Sequence, residues 1–317
     1  MLRAVFIGGW LVRASTEPGD STIEGDDMSI RIGLQLYSVR QSLSADPWGT
    51  LEAIAQSGFK YIEAANHNAL NDPGVGFGVS ASDFRSKLDE LGLSIVGCHI
   101  NPLDVSILPR ALEYQAALGN KQFGCDIEFY PYGDLDYVLR RAETFNQIGE
   151  LARQYGMSFY YHNHFQEFQR FGDMYVYEII LENTDPELVK LEVDTYWMYR
   201  GGQNPIEWME RYADRVVLLH QKDFPEESPQ PLNMFDGVIE PSESIDIDLF
   251  MERKAPLAFV EIGTGVLPIQ NILDAAANLP NLDYMILEQD YTQLPEIESI
   301  RVSRQAFKDG FTGISWD

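Results

Sequence analysis

The sequence predicts a single-domain (β/α)8 barrel. Three observations carry that expectation: eight short, nearly continuous apolar runs, a longer amphipathic segment after each, and successive runs spaced by about 30 residues. Near-continuous apolar runs suit parallel strands covered on both faces, whereas strands with one wet face alternate. The rival is an open doubly wound sheet. Such a sheet usually carries a Gly-rich phosphate turn after its first strand, and Ser38-Val39-Arg40-Gln41 is not one.

In chain order the runs are Ile30–Val39, Tyr61–Ala65, Ser94–Ile100, Gln122–Phe129, Met157–His164, Val189–Trp197, Val216–His220 and Tyr284–Glu288. The segments Pro47–Ser57, Ala81–Leu91, Leu108–Leu118, Leu135–Tyr155, Met174–Glu182, Pro205–Tyr212 and Pro268–Leu279 read as helices, and Pro295–Lys308 closes the barrel. Pro47, Pro205 and Pro295 fall where a helix begins, a position that tolerates the missing N–H. Gly58, Gly92, Gly119 and Gly156 stand where helices stop, because glycine enters the left-handed region without strain. Phe224 to Ala255 interrupts the pattern as an insertion between strands seven and eight, rich in Pro, Ser and Glu. It predicts a loop or lid over the barrel mouth, followed by a short strand at Ala258–Ile262.

Composition narrows the function. Twenty-three Lys plus Arg against 49 Asp plus Glu give a net charge of −26, while 45% hydrophobic residues allow a large core. So acidic a chain lacks the clustered cations that bind nucleic acid, and anionic lipid repels it. No run reaches the roughly 18 apolar residues that span a membrane. Cys98 and Cys125 are too few for a disulfide framework and read as small core residues of a cytoplasmic protein. Met1-Leu2-Arg3 and the apolar Ala4–Val12 look faintly like a signal peptide, but Ser15 to Asp27 is polar and acidic. Residues 1–28 therefore read as an extension outside the core, and 29–317 as the barrel domain. A homo-oligomer is compatible with this composition.

In barrels of this kind the chemistry sits at the C-terminal ends of the strands. His99, His162, His164 and His220 fall there, and His67 lies just beyond strand two as a loop residue. Glu63, Glu128, Asp194 and Glu288 end strands two, four, six and eight, and Glu167 follows strand five. A carboxylate at the end of an apolar strand is costly unless paired, protonated or metal-bound. Glu192 and Asp194 share a strand face by period two, and with His220 and Glu288 they form a mixed nitrogen and oxygen donor set. Such donors suit Mn, Mg, Co or Zn. Ion pairing of Asp194 and Glu288 with a barrel Lys or Arg is the plainer alternative. Glu63 and Glu128 read as substrate contacts or as hydrogen bonds that anchor loops, and His99 as a substrate contact. Lys222 either meets a substrate carbonyl, carboxylate or phosphate, or pairs with Asp223. His162 and His164 point to one side of strand five, and imidazoles there suit proton transfer. Glu167 is near enough in sequence to bind the metal or orient a histidine.

Ile32-Gly33-Leu34-Gln35-Leu36-Tyr37-Ser38-Val39-Arg40, Tyr161-His162-Asn163-His164-Phe165-Gln166-Glu167-Phe168, Glu192-Val193-Asp194-Thr195-Tyr196-Trp197, Leu219-His220-Gln221-Lys222-Asp223 and Leu287-Glu288-Gln289-Asp290 resemble the sugar phosphate isomerase/epimerase family. That family belongs to the xylose-isomerase-like TIM barrels, and the resemblance spans about residues 29–310. It implies one divalent ion (Mn, Co, Mg or Zn) on Asp194, His220 and Glu288. The fourth place goes to Glu167 or His162, because His-Asn-His stands where other members carry Glu. Glu261-Ile262-Gly263-Thr264-Gly265 departs from the related Glu-Val-Gly-Glu-Gly loop.

The resemblance implies a metal-dependent isomerase or epimerase acting on a sugar, keto-sugar or cyclitol through an enediolate. His162, His164, Glu167 and Glu288 are the candidate proton carriers. Glu63, His99 and Lys222 are the candidate substrate contacts. The same constellation supports a lyase, since an enediolate with a β-leaving group eliminates it. Dehydration of an inosose-like cyclitol or cleavage of a keto-glycoside is thus the alternative, and a non-catalytic sugar-binding barrel is a further one. The excess acid makes a neutral substrate the safer expectation.

Overall fold

The computed structural model describes residues 29–316, so the expected extension at 1–28 lies outside the described residues. Eight parallel strands close on themselves: β1 (Ile30–Gln35), β2 (Tyr61–Asn66), β3 (Ser94–Ile100), β4 (Gln122–Gly124), β5 (Ser158–His162), β6 (Val189–Asp194), β7 (Val216–Gln221) and β8 (Tyr284–Leu287). β8 pairs back onto β1, with Ile32 opposite Met285 and Leu34 opposite Leu287. Eight helices surround them: α1 (Pro47–Gln56), α2 (Ala81–Leu91), α3 (Leu108–Leu118), α4 (Leu135–Gln154), α5 (Val176–Glu182), α6 (Pro205–Arg211), α7 (Ile269–Ala276) and α8 (Glu296–Gly310). This is the predicted TIM barrel. Among the described residues no helix is long and apolar enough to cross a membrane.

Side chains that alternate along the strands feed two cores. The larger lies between the sheet and the helices, and the smaller (Val96, Tyr160, Leu218 and Ile286) fills the barrel itself. Tyr160 reaches across the interior because Gly97 and Gly124 leave it room. A Cβ at Gly124 would lie 2.1 Å from the Tyr160 ring. Below this layer Arg31 stacks over Tyr284, 4.3 Å from its centroid, and closes the floor. Above it the inward positions turn polar.

Several runs end earlier than their apolar content suggests. After Gln35 the chain forms a 3-10 turn (Leu36–Val39) and a short helix (Arg40–Ala45), with the Gln35 side chain accepting from the Tyr37 N–H. β4 stops at Gly124 rather than Phe129, and the Asp126 carboxylate takes the Ile127 N–H at 2.7 Å. β6 stops at Asp194, whose Oδ1 accepts from Trp197 N at 2.7 Å and starts the helix Thr195–Arg200. In each case a polar side chain claims a backbone donor that a longer strand would have needed.

The insertion carries the helix Ile247–Arg253. The strand expected at Ala258–Ile262 is reduced to one antiparallel bridge between Asp223 and Val260. The reason is Asp223, whose carboxylate collects the N–H groups of Phe224, Gly263, Gly265 and Leu267 and wraps the loop around itself. Gly265 is needed for that approach: a Cβ there would lie 2.3 Å from the Asp223 carboxylate.

Candidate active site and metal centre

Strand register stacks two polar layers at the C-terminal end of the barrel. In the lower layer Glu63 accepts from Gln35 Nε2 at 2.9 Å and from the Tyr160 hydroxyl, and it faces His220 Nε2 at 2.5 Å. Glu192 bridges two rings, with its Oε2 2.6 Å from His99 Nε2 and 2.9 Å from His162 Nδ1. In the upper layer His220 Nδ1 meets Glu288 at 2.8 Å, and His162 Nε2 lies 3.8 Å from Asp194. The Lys222 ammonium sits between Asp194 and Glu288. His162 and His220 therefore each turn one nitrogen to a carboxylate of the lower layer and the other to one of the upper layer.

The ligand atoms of His162, Asp194, His220 and Glu288 lie within 4.8 Å of one another, as do those of His99, His162, Glu192 and His220. The donor chemistry fits a divalent cation. A neutral imidazole has one N–H and one lone pair, yet both His220 nitrogens face carboxylates. Burial opposes its charge, but Glu192, Glu63 and Glu288 still hold the ring well above the usual histidine range. Glu192 Oε1 lies 3.1 Å from His220 Nε2, a nitrogen that Glu63 already faces at 2.5 Å. The buried carboxylates Glu63, Glu192, Asp194, Glu288 and Asp290 still outnumber the buried cationic groups, which are Lys222, Lys254 and the raised rings of His99 and His220. A bound cation would relieve this imbalance, which burial makes expensive.

Burial, with its neighbours, separates the remaining groups. Burial and His220 push His162 down to about 3, although Glu192 opposes them. His164 is held well below its ordinary range by burial and by His162, Lys222 and Lys254. His99 is raised to about 9, since Glu63 and Glu192 outweigh burial. Burial raises Asp194 to about 6 against the pull of Lys222. His162 and His164 are thus neutral near pH 7, with lone pairs available for a metal.

A cavity of about 260 Å³ opens over this cluster. His99, His162, His164, Glu288 and Asp290 line it from the barrel side, while Ile247, Phe250, Met251 and Lys254 of the insertion form its roof. The predicted lid is therefore a helix placed over the mouth. Lys254 pairs with Asp290 at 2.8 Å, and the His164 ring lies 5.2 Å from Trp197 and 5.3 Å from Phe250. His164 Nδ1 is buried with no partner.

The structure does not bring every expected residue to the cavity. The Glu167 carboxylate accepts from the Tyr161 hydroxyl at 2.8 Å and the His164 N–H at 3.0 Å, and it belongs to neither donor group. It anchors the turn after β5, so His162 is the donor the geometry offers in the fourth place. Glu63 and Lys222 lie buried beneath the cavity and do not line it, whereas His99 does. Lys222 pairs with Asp194 and Glu288 and not with Asp223, which its loop has already saturated. Glu128 pairs with Arg141 outside the cavity. His67, read as a loop residue, lines the wall with Tyr37, Asn101 and Asp126. Sequence reasoning missed Lys254 and Phe250. The apolar spacing of Ile247, Phe250 and Met251, at i, i+3 and i+4, was the available signal.

Comparison with known proteins places this geometry in a family. The model for the xylose isomerase-like TIM barrel matches residues 51–309. Inosose dehydratase 2 of Bacillus cereus is 26% identical over 151 residues, which cover 47% of this chain and 46% of that protein. The match thus spans about half the length of that relative. Among solved structures, a sugar phosphate isomerase/epimerase from Parabacteroides distasonis aligns with a TM-score of 0.69 and 23% identity, covering 94% of this chain and 100% of the other. The IOLI protein, solved with a zinc atom, aligns at 0.61 and 14% identity over 88% of this chain and 97% of its own. At these identities the structural likeness concerns the fold. The family model spans most of the chain, and the eight parallel strands close into a barrel: the chain belongs to the xylose isomerase-like TIM-barrel family.

Proposed function

We propose that the protein is a divalent-metal-dependent lyase that dehydrates a neutral keto-cyclitol or keto-sugar. The observation that carries this is the buried set His162, Asp194, His220 and Glu288 beneath a cavity of one-ring size. From sequence alone isomerisation was the leading expectation and elimination the alternative. The dehydratase name of the curated relative favours elimination.

His162, Asp194, His220 and Glu288 would hold the ion, with Glu192 and Glu63 accepting protons from the far nitrogens of the two rings. Such backing carboxylates fix ring orientation and raise ligand basicity. When bound, the ion supplies Lewis-acid polarisation of a substrate carbonyl, which acidifies the neighbouring C–H.

The chain's own groups do the rest. His164 lines the cavity and its buried Nδ1 has no partner, so it is the group placed to take the α-proton. Lys222, fixed between Asp194 and Glu288, adds positive charge beneath the oxygen that becomes anionic. The electron pair of the broken C–H bond forms the C=C bond, and the β-carbon loses its oxygen. That oxygen leaves as water with a proton from the wall, where Lys254 and His99 are the charged donors. Asp126, Glu288 and Asp290 outnumber Lys254 in the lining, so a neutral polyol suits the cavity better than a phosphate ester.

The second reading is isomerisation or epimerisation, in which the proton returns to carbon and nothing leaves. It differs only in the fate of the β-substituent. Incubation of inososes and keto-sugars in deuterated water with Mn, Co, Mg or Zn, followed by NMR, separates the two. Loss of water supports the lyase. Solvent label on carbon with all oxygens retained supports the isomerase. Failure of every substrate and metal combination would remove both.

A further inference from the structure

Beside the candidate active site lies a second cavity, of about 440 Å³. It shares three wall residues with the first: Tyr37, Ala65 and His67. It is built by the two loops that follow β1 and β2, so both cavities open on the same face of the barrel. Pockets that enclose a whole small ligand run to about 300–1,000 Å³. The inner cavity alone lies just below that range, and the two together lie well inside it. Ala65, one of the shared residues, adds only a methyl group to the wall between them.

The outer cavity differs from the inner one in chemistry. No Asp or Glu lines it among the described residues. Its charged residue, Arg40, donates to the carbonyls of Tyr37 at 2.9 Å and Asp290 at 2.7 Å and stacks over the Tyr37 ring, with its guanidinium carbon 4.1 Å from the centroid. Arg40 therefore braces an aromatic wall more than it awaits an anion. Phe77 supplies a further ring, and Ser44 and Asn68 stand on the rim with polar ends. Aromatic faces with scattered hydroxyl and amide groups suit a sugar ring, which presents C–H groups on its faces and hydroxyls at its edge.

We propose that this outer cavity is a subsite for a second, uncharged sugar ring, joined through oxygen to the ring that reacts in the inner cavity. The substrate class is then a keto-glycoside. Its cleavage deepens the elimination reading and rests on it: the α-C–H bond breaks, its electron pair forms the C=C bond, and the β-carbon–oxygen bond breaks. The departing glycosyl oxygen takes a proton and leaves as a free sugar from the outer cavity. The binding part of the proposal needs no turnover.

The test is calorimetric binding to the full chain with Mn²⁺ present. The one-ring probes are myo-inositol and methyl glucoside. The two-ring probes are cellobiose, lactose and trehalose, and glucose 6-phosphate serves as an anionic one-ring probe. At least one two-ring probe should bind about tenfold more tightly than any one-ring probe. Ser44→Trp, on an exposed helical position at the rim, should remove that advantage, and Phe77→Ala should reduce it. Equal binding of one-ring and two-ring probes would overturn the subsite. So would a two-ring advantage that survives Ser44→Trp, or tightest binding of glucose 6-phosphate, which would make the cavity an anion site. Water loss from a keto-cyclitol alongside equal binding would leave the proposed function standing and remove only the subsite.

Discussion

Replacing Gly124 by alanine should damage the barrel from the inside. The added Cβ would lie 2.1 and 2.2 Å from two ring carbons of Tyr160 and 2.7 Å from its carbonyl oxygen. Rotating the ring cannot relieve the last contact, because it is with backbone, so β4 and β5 must also part slightly. Overpacking of this kind costs about 1–3 kcal/mol. The Tyr160 hydroxyl would also be drawn off the Glu63 carboxylate, and a hydrogen bond to a charged group contributes about 1.5–3 kcal/mol. Together these give roughly 2.5–6 kcal/mol, or a melting point lower by roughly 5–12 °C for a chain of this size. The assay is thermal unfolding, with Gly310→Ala as the control. A Cβ at Gly310 meets nothing within 4 Å, so that variant should stay within about 1 kcal/mol of the parent. Tyr160→Leu should remove most of the clash, so Gly124→Ala should cost much less in that background. A Gly124→Ala protein that melts with the parent would refute the claim that Tyr160 fills the barrel and supports Glu63.

Asp194→Ala and His220→Ala should each lose bound metal, by elemental analysis, and reduce turnover by roughly a thousandfold; full activity without metal would sink the assignment. Glu192→Gln should weaken metal affinity by about 10–100-fold in a titration, since it loosens the His162 ring without removing a donor; unchanged affinity would remove its orienting role. Lys254→Met should cost about 3–5 kcal/mol by leaving Asp290 buried and unpaired, and pairing it with Asp290→Leu should restore much of that in a denaturant series. Burial, as the largest cause, raises the Glu167 carboxyl to about 8, above its unfolded value, so its stabilising contribution is full at acid pH and is lost as pH rises through about 8. Melting temperatures of Glu167→Gln should therefore fall less steeply than those of the parent between about pH 5 and about pH 8; parallel curves would refute the assignment.

Strand and helix positions were legible because burial on both faces of a parallel strand leaves an unmistakable apolar run. β3, α2 and α3 have the ends that the sequence predicts. Ends were misread where aromatic residues continue past the strand. Thr195, Tyr196 and Trp197 are as apolar as β6, but they are buried on a helix that Asp194 starts.

Polarity at strand ends picked out Asp194, His220 and Glu288, because a charge there must be paired, protonated or metal-bound. The ion-pair alternative is present too, since Lys222 sits between both carboxylates. Sequence could not decide between Glu167 and His162. Both follow the same strand, and only folding shows that Tyr161 and the His164 N–H hold Glu167 away from the donor groups. Nor could it show that Glu192 serves two rings, from β3 and β5, since that depends on the register with which three strands close the barrel. The sequence alone determined the fold, the donor types and the face on which they gather, because these follow from local periodicity and solvation. Tertiary structure decided which donors meet, which lie beneath the cavity, and that Lys254 and Phe250 roof it. Those are contacts between residues far apart in the chain, and no local pattern encodes their distances.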